Sequence, residues 1–175
     1  MFLVIVDPQR GFFEPAVPDD LEGRLERLLS RKIFSSVIAT QFVSEPDGPF
    51  QRFAGWGGLH GSDQDICEGI RPWLDAILPK KGFSCATGPV MRALQELNGG
   101  CLPKAVFLAG TDTEACVLAS AMGFFEKGVR PIVLADYCAS SGGIPVHEAG
   151  LLCLERAIEA RNVMRGDPYP SISVP

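Results

Sequence analysis

Short, unbroken apolar runs alternate with segments of helical periodicity along the 175 residues of this chain. The first run, Phe2 to Val6, has no polar position, which is typical of a strand buried on both faces of a sheet. Further strands are predicted at 37–39, 76–80, 105–109 and 129–135. Because strands that alternate with helices form βαβ units, the sequence predicts an α/β fold. We expect a single-domain, three-layer αβα sandwich with a mostly parallel, Rossmann-like central sheet over residues 1–165, followed by an irregular tail over 166–175.

The helical spacing of apolar residues predicts the two outer layers. The leucines of segment 21–28 recur on one helical face, after an aspartate at position 19 or 20 that can cap the helix. Residues 66–77 also have helical spacing, although Pro72 would strain that helix. The remaining helices are expected over 87–97, 117–126 and 145–160, the last with Val146, Gly150, Cys153, Ala157 and Ile158 facing inward.

The composition argues against several classes of partner. The chain has 16 Lys and Arg against 21 Asp and Glu, and its formal net charge of −5 gives no basic face for nucleic acid. No apolar stretch approaches the roughly 18 residues of a membrane span, and the N-terminal run lacks the basic residues of a secretory signal. The six cysteines contain no CxxC pair, so we expect free thiols in a cytoplasmic protein.

One cysteine occupies a position suited to nucleophilic chemistry. The segment Gly110 to Val117 connects an apolar strand to a predicted helix and places Cys116 at the start of that helix. A helix N-terminus carries about half of a positive elementary charge, which stabilises a thiolate. We therefore expect a lowered pKa for the Cys116 thiol. A free cysteine is more often a small buried apolar residue, and for this residue on its own that interpretation stays open.

Two candidate groups fall on the same edge of the predicted sheet. Asp7 ends the first strand, and the turn that carries Cys116 follows a later strand. Open α/β sheets bind their ligands at the carboxyl ends of the strands, so topology alone brings the two together. Asp7 could also serve as a plain turn residue. Lys80 lies at the start or the end of a short strand, and the pattern does not decide which.

Three motifs together resemble the isochorismatase-like cysteine hydrolases, a family that includes nicotinamidases and carbamoylsarcosine amidases. The motifs are Phe2 to Gln9, Lys80 to Ser84 and Gly110 to Val117, in the order and spacing of the family. The resemblance extends from Phe2 to about Val163 and includes the segment Leu134 to Ser140.

The resemblance implies a role for each candidate residue. Cys116 would attack an acyl carbon and form a thioester, and Asp7 would take its proton as the general base. A thiol needs such a base or a cationic neighbour to become a strong nucleophile. Lys80 would balance the charge, with Lys81 as the alternative lysine. The implied reaction is the cleavage of a C–N bond in a small amide, an N-carbamoyl compound or a ureide.

The resemblance also implies an oxyanion hole in the 110–117 turn. The backbone N–H of Cys116 would be the first donor. Family members have a non-proline cis peptide in this turn, which would be Thr111-Asp112 here and would turn the Asp112 N–H toward the site.

The chain departs from the metal-dependent nicotinamidases, which carry an Asp-x-His and a further His after the second strand. Thr40 to Val43 occupies that place, and His60 is the one histidine nearby. One histidine cannot complete a three-ligand site, so we expect no catalytic metal, and we expect no cofactor. His60 is interpreted as a surface residue or a substrate contact, and His147 as an exposed helix residue.

Aromatic residues are the candidates for binding the substrate. The segment Ser44 to Ser62 has no clear period, and loops of this length are often lids or binding loops. Phe13, Trp56 and Phe83 are predicted to line the substrate pocket, and Phe12, Phe50 and Phe53 are further candidates. Phe13 could equally belong to the core, and the aromatics of the loop could equally anchor it.

Two other functions stay open. The first is hydrolysis of a vinyl ether as in isochorismatases, which uses the aspartate as an acid and can run without the thiol. The second is a binding protein or thiol sensor without catalytic activity on the same fold. The expected partner is a small-molecule substrate, with a homo-oligomer, a dimer or tetramer, as the expected assembly.

Overall fold

The computed structural model describes residues 1–16 and 20–168, so the predictions for Asp19 and for positions 169–175 of the tail lie outside the described residues. The strands are β1 (Phe2–Val6), β2 (Ser36–Phe42), β3 (Ala76–Lys80), β4 (Ala105–Gly110), β5 (Arg130–Cys138) and β6 (Val163–Met164). They form one parallel sheet in the order β3-β2-β1-β4-β5-β6. The predicted α/β sandwich is confirmed, with a sheet that is parallel throughout.

Four of the six helices lie where the spacing predicted them, whereas the short helices Arg10–Phe13 and Pro49–Ala54 were not predicted. They are α1 (Arg10–Phe13), α2 (Leu21–Ser30), α3 (Pro49–Ala54), α4 (Gly88–Leu97), α5 (Leu118–Glu126) and α6 (Ile144–Ile158). The helix expected over 66–77 is wrong, because Pro72 lies in a short 3-10 turn, Arg71–Trp73, and the chain enters β3 at Ala76. No helix of the described ranges is both long enough and apolar enough to cross a membrane.

Helices cover both faces of the sheet. The leucines of α2 pack with Leu3 and Ile5 on one face, whereas α4, α5 and α6 pack with Val4 and Val6 on the other. Successive side chains of a strand point to opposite faces, which explains why β1 tolerates no polar position.

The buried face of α6 differs from the predicted one. Gly150 and Ile158 are buried as expected, whereas Val146, Cys153 and Ala157 are exposed. His147, Leu151 and Leu154 are buried instead. The run 151–154 is apolar at every position, so its periodicity could not specify one face.

The order of the strands fixes the place of a ligand site. From β1 the chain moves outward through β2 and β3 and then returns to the other side of β1 to form β4. Crevices of open α/β sheets form at the carboxyl ends of strands where the order reverses in this way, here between β1 and β4. Asp7 follows β1, and Gly110 ends β4.

Candidate active site

Asp7, Lys80 and Cys116 meet at the carboxyl edge of the sheet. The Lys80 Nζ lies 2.7 Å from Oδ2 of Asp7 and donates a hydrogen bond of 3.3 Å to Sγ of Cys116. Lys80 is the last residue of β3, so it reaches the edge at which β1 also ends. Lys81 points away from the site, is exposed and pairs with Glu45. Of the two lysines, the structure therefore places Lys80 in contact with the other two candidate residues.

The buried ammonium of Lys80 has several further partners. It donates to the carbonyl oxygens of Gly82 at 2.7 Å and Phe83 at 3.1 Å, and it lies 5.3 Å from the centroid of the Phe42 ring. Burial acts to lower the pKa of Lys80, but the charge of Asp7 and the contacts with Asp7 and Cys116 together outweigh it, and the pKa is raised. Lys80 therefore remains a cation beneath the Cys116 thiol.

The Asp7 carboxylate is fixed by Thr40 as well as by Lys80. The Thr40 hydroxyl donates to Oδ1 of Asp7 at 2.9 Å, and the Asp7 N–H donates to the same hydroxyl oxygen at 3.1 Å. Burial raises the pKa of Asp7, while Lys80 acts to lower it. A carboxylate with a raised pKa is better suited to accept a proton. In the sequence, Thr40 stands where metal-dependent nicotinamidases have a metal ligand. No spacing between residues indicates its contact with Asp7.

The thiol of Cys116 differs from the prediction in its ionisation. Cys116 lies in a π-helical turn, Thr113–Val117, that continues into α5. Burial, and after it the Asp7 carboxylate, raises the pKa of Cys116 to about 12, against the opposing effect of Lys80. The expectation of a lowered pKa is wrong, because desolvation and the neighbouring negative charge outweigh the lysine. The raised pKa favours the protonated thiol, and the Asp7 carboxylate is one of the groups beside it.

The turn before Cys116 has the backbone form that the resemblance implied. The Thr111-Asp112 peptide bond is cis. The Thr111 N–H donates to the carbonyl oxygen of Val6 at 3.1 Å, which ties the turn to the end of β1. The Asp112 N–H donates to no acceptor within the described part of the chain, so it is available to a ligand.

A buried histidine supports this turn. His147 is 5% exposed, and its Nδ1 lies 2.7 Å from the hydroxyl oxygen of Thr113, the first residue of the π-helical turn. The prediction of an exposed His147 is therefore wrong. One turn further along α6, a Cβ added to Gly150 would lie 2.7 Å from the backbone nitrogen of Glu114. α6 thus packs its backbone directly against the segment that carries the nucleophile.

A cavity of about 370 Å³ opens above the sulfur of Cys116. Five of its lining residues are aromatic, and their neighbouring ring centroids are between 4.9 and 6.2 Å apart. This aromatic wall consists of Phe12, Phe42, Phe50, Trp56 and Phe83. The cavity therefore has the volume for a small molecule and a lining in which aromatic side chains predominate.

Of the three predicted pocket residues, the structure places two in this wall. Trp56 and Phe83 line the cavity, whereas Phe13 is 6% exposed and packs in the core with the leucines of α2. Phe13 points away from the cavity because adjacent residues of a helical turn point about 100° apart. Phe12 is the residue of that pair that faces the cavity. The predicted loop contains α3, which contributes Phe50.

The described residues include no cluster of three or more His, Cys, Asp or Glu side chains that could hold a metal ion. His60 is exposed and is not among the residues that line the cavity. Thr40 directs its hydroxyl to Asp7.

The parallel sheet and the cavity at its carboxyl edge define an α/β protein with a small-molecule site at the end of its strands. The chain belongs to the isochorismatase family, because the model of the Isochorismatase domain matches residues 1–159. That range contains Asp7, Lys80 and Cys116. A search of curated proteins finds no match.

Solved structures share the fold at low sequence identity. An isochorismatase-like hydrolase from Alkaliphilus metalliredigens is 19% identical with a TM-score of 0.76, covering 97% of this chain and 97% of that chain. The nicotinamidase PncA from Bacillus subtilis is 18% identical with a TM-score of 0.72, covering 93% of this chain and 97% of that chain. The MAR1 ribonuclease from Caenorhabditis elegans is 18% identical with a TM-score of 0.66, covering 89% of this chain and 72% of that chain. Identities this low establish the fold, and several chemistries occur on it.

Proposed function

We propose that this protein is a cysteine hydrolase that cleaves the C–N bond of a small amide or N-carbamoyl compound through a thioester on Cys116. The observation that carries the proposal is the contact of the Lys80 Nζ with both Asp7 and Cys116 beneath an apolar cavity. The structural similarity to a nicotinamidase supports an amide as the substrate class.

The first half of the reaction forms the thioester. Asp7 takes the proton of the Cys116 thiol, and the sulfur attacks the acyl carbon. The negative charge on the acyl oxygen is accepted by the N–H groups of Asp112 and Cys116. The C–N bond then breaks, the proton moves from Asp7 to the nitrogen, and the amine or ammonia leaves. Lys80 keeps its positive charge throughout and stabilises negative charge on the Asp7 carboxylate and on the Cys116 sulfur.

The second half consumes water. Asp7 accepts a proton from a water molecule while the water oxygen attacks the thioester carbon. The C–S bond breaks, the proton returns to sulfur, and the acid is released. The raised pKa of Asp7 suits both proton transfers, since the same group must accept and then donate.

A second candidate is the hydrolysis of a vinyl ether. The family match and the raised pKa of Asp7, which favours the protonated acid, support it. This reaction does not require the thiol, so it predicts that a Cys116→Ala variant retains turnover.

The test is ammonia release from a panel of small amides and N-carbamoyl compounds by the wild-type protein and by Cys116→Ala and Asp7→Asn variants. We expect both substitutions to reduce turnover by about a thousandfold or more. Rapid acid quench and mass spectrometry should find the acyl group on Cys116 in the wild-type protein. Turnover that persists in Cys116→Ala would rule out the thioester route. We also propose that no metal takes part, so dialysis against a chelator should leave the rate unchanged.

A further inference from the structure

Asp112 lines the cavity above Cys116, and its carboxylate contacts Ser141, which lines the same cavity. Its Oδ1 accepts a hydrogen bond of 2.8 Å from the N–H of Ser141, and its Oδ2 accepts one of 2.9 Å from the Ser141 hydroxyl. Both donors are neutral, and Asp112 forms no ion pair with any described residue. The carboxylate is therefore fixed in position, and no described cationic side chain forms an ion pair with it.

The charges of the site do not cancel. The Lys80 cation is matched by Asp7, and the Cys116 thiol is neutral because its pKa is raised to about 12. Among the described residues that line the cavity, Asp112 has the one charged side chain. An acyl oxygen that becomes negative beside the Asp112 N–H would add a second negative charge to the same cavity. A positively charged substrate would offset both charges.

The aromatic wall favours a cation for an independent reason. The face of an aromatic ring attracts a positive charge within about 6 Å of its centroid, and alkylammonium groups are bound by such rings. The wall already holds one cation, since the Lys80 Nζ lies 5.3 Å from the centroid of the Phe42 ring. A ring wall and a fixed, unpaired carboxylate in one cavity are the elements of an alkylammonium site.

We propose that the cavity selects small amides whose non-reacting end carries a positive charge, with Asp112 as the specificity-determining residue and the aromatic wall as the cage. The inference rests on the proposed function for the reacting end of the molecule. The formal net charge of −5 also favours a positively charged substrate, because it raises the local concentration of cations near the protein.

Three probes of similar size separate charge from shape. They are γ-butyrobetaine amide, which ends in a trimethylammonium group, the uncharged analogue in which carbon replaces the quaternary nitrogen, and the anionic glutaramate. Binding is measured by calorimetry on Cys116→Ala, which cannot form the thioester, and ammonia release is measured on the wild-type protein. We expect the cation to bind at least about tenfold more tightly than its uncharged analogue, with glutaramate weakest and with the preference reduced at high salt.

A matched pair of variants locates the preference. In the Cys116→Ala background, Asp112→Asn keeps the size and the backbone amide and should bring the cationic and uncharged probes to within about threefold of each other. Asp47→Asn removes one charge at an exposed position outside the cavity and should leave the ratio unchanged. Ser141→Ala removes a donor but keeps the carboxylate, so it should retain the preference. If Asp112→Asn fails to fold, the probe ratio and its salt dependence still decide the question.

The outcomes separate the two proposals. Selective binding of the cationic probe without hydrolysis of any amide would refute the proposed function and support the charge selection. Hydrolysis of amides without regard to charge would support the function and overturn the inference. Equal or tighter binding of the uncharged probe, or an Asp112→Asn ratio equal to that of the parent, would also overturn it.

Discussion

The Lys80 ammonium and the Asp7 carboxylate form an ion pair of 2.7 Å in which the two side chains are 0% and 1% exposed. A pair buried this completely depends on both members. Removing one of them leaves an uncompensated charge away from water, which typically costs about 3–5 kcal/mol. Because the same ammonium also contacts the Cys116 sulfur, stability and chemistry are linked through one atom.

The Lys80→Met variant is expected to lose about 3–5 kcal/mol of the free energy of unfolding and at least about a hundredfold in turnover. Without the cation Asp7 becomes protonated and can no longer accept the thiol proton. Urea denaturation and a rate assay measure the two effects. The control is Lys81→Met at the exposed neighbour, which should change neither quantity. The double variant Lys80→Met with Asp7→Asn should regain stability without activity, and an active double variant would contradict the assigned roles.

The Asp7→Asn variant is expected to make Cys116 more reactive although it abolishes turnover. The Asp7 carboxylate raises the pKa of the thiol and Lys80 lowers it, so removing the carboxylate must lower that pKa. A decrease of one unit would speed alkylation near neutral pH by about tenfold, as read by mass spectrometry of iodoacetamide-treated protein. Cys67 is the internal reference, because burial and Glu22 raise its pKa and Asp7 is not among the causes. Slower alkylation of Cys116 in Asp7→Asn would refute the charge assignment.

The protein is expected to lose stability in mild alkali. Burial raises the pKa of Cys67, Cys85, Cys116 and Cys138 from 9.0 to about 12. A raised folded-state pKa gives stability that is fully present below the unfolded value of 9.0 and is lost as the pH rises toward 12. Each thiol contributes a slope of at most about 1.4 kcal/mol per pH unit in that window.

Urea denaturation at several pH values under reducing conditions measures this slope. Cys138→Ala should flatten it, whereas Cys101→Ala, at an exposed position, should not. Identical slopes for the wild-type protein and Cys138→Ala would contradict the prediction.

The Thr113→Val variant is expected to lower the free energy of unfolding by about 1–3 kcal/mol, because it leaves the buried Nδ1 of His147 without its partner. Turnover should fall as well, since Thr113 begins the turn that carries Cys116. Thr87→Val is the matched control. Its buried hydroxyl has no partner among the described residues, so the substitution should be neutral or stabilising. Equal effects of the two substitutions would show that the contact with His147 does not contribute to the free energy of unfolding.

The Gly150→Ala variant is expected to lose about 1–3 kcal/mol of stability and most of its activity. The added Cβ would lie 2.7 Å from the backbone nitrogen of Glu114, so the turn Thr113–Val117 would have to move. Gly88→Ala in α4 is the control, because its Cβ would meet only the end of the flexible Arg92 side chain, at 3.3 Å. A Gly150→Ala enzyme with normal kcat would show that the turn tolerates displacement.

Features of this structure that depend on the order of residues along the chain could be predicted from the sequence. Asp7 at the end of an apolar run and Cys116 after another could be placed on one edge of the sheet, because parallel strands end at a common edge. The lysine could not be assigned between positions 80 and 81. That assignment depends on the register of β3 against β2, where Lys80 pairs with Phe42.

Features that depend on packing in three dimensions could not be predicted. The thiol pKa depends on the balance between desolvation and two neighbouring charges, and position at a helix start gives only one part of that balance. The burial of His147 depends on which face of an apolar helix meets the sheet. The aromatic wall draws residues from four separate segments, and no local pattern indicates that Phe12 rather than Phe13 joins it.

β3, which supplies Lys80, lies at the edge of the sheet and is paired only with β2 among the described strands. Proteins open locally at free energies below that of global unfolding, and we expect β3, which has one neighbouring strand, to open before the central strand β1. Detachment withdraws the cation from a carboxylate that β1 keeps buried. Under the proposed function, we therefore expect that a stress which opens β3 abolishes turnover while the rest of the domain is still folded.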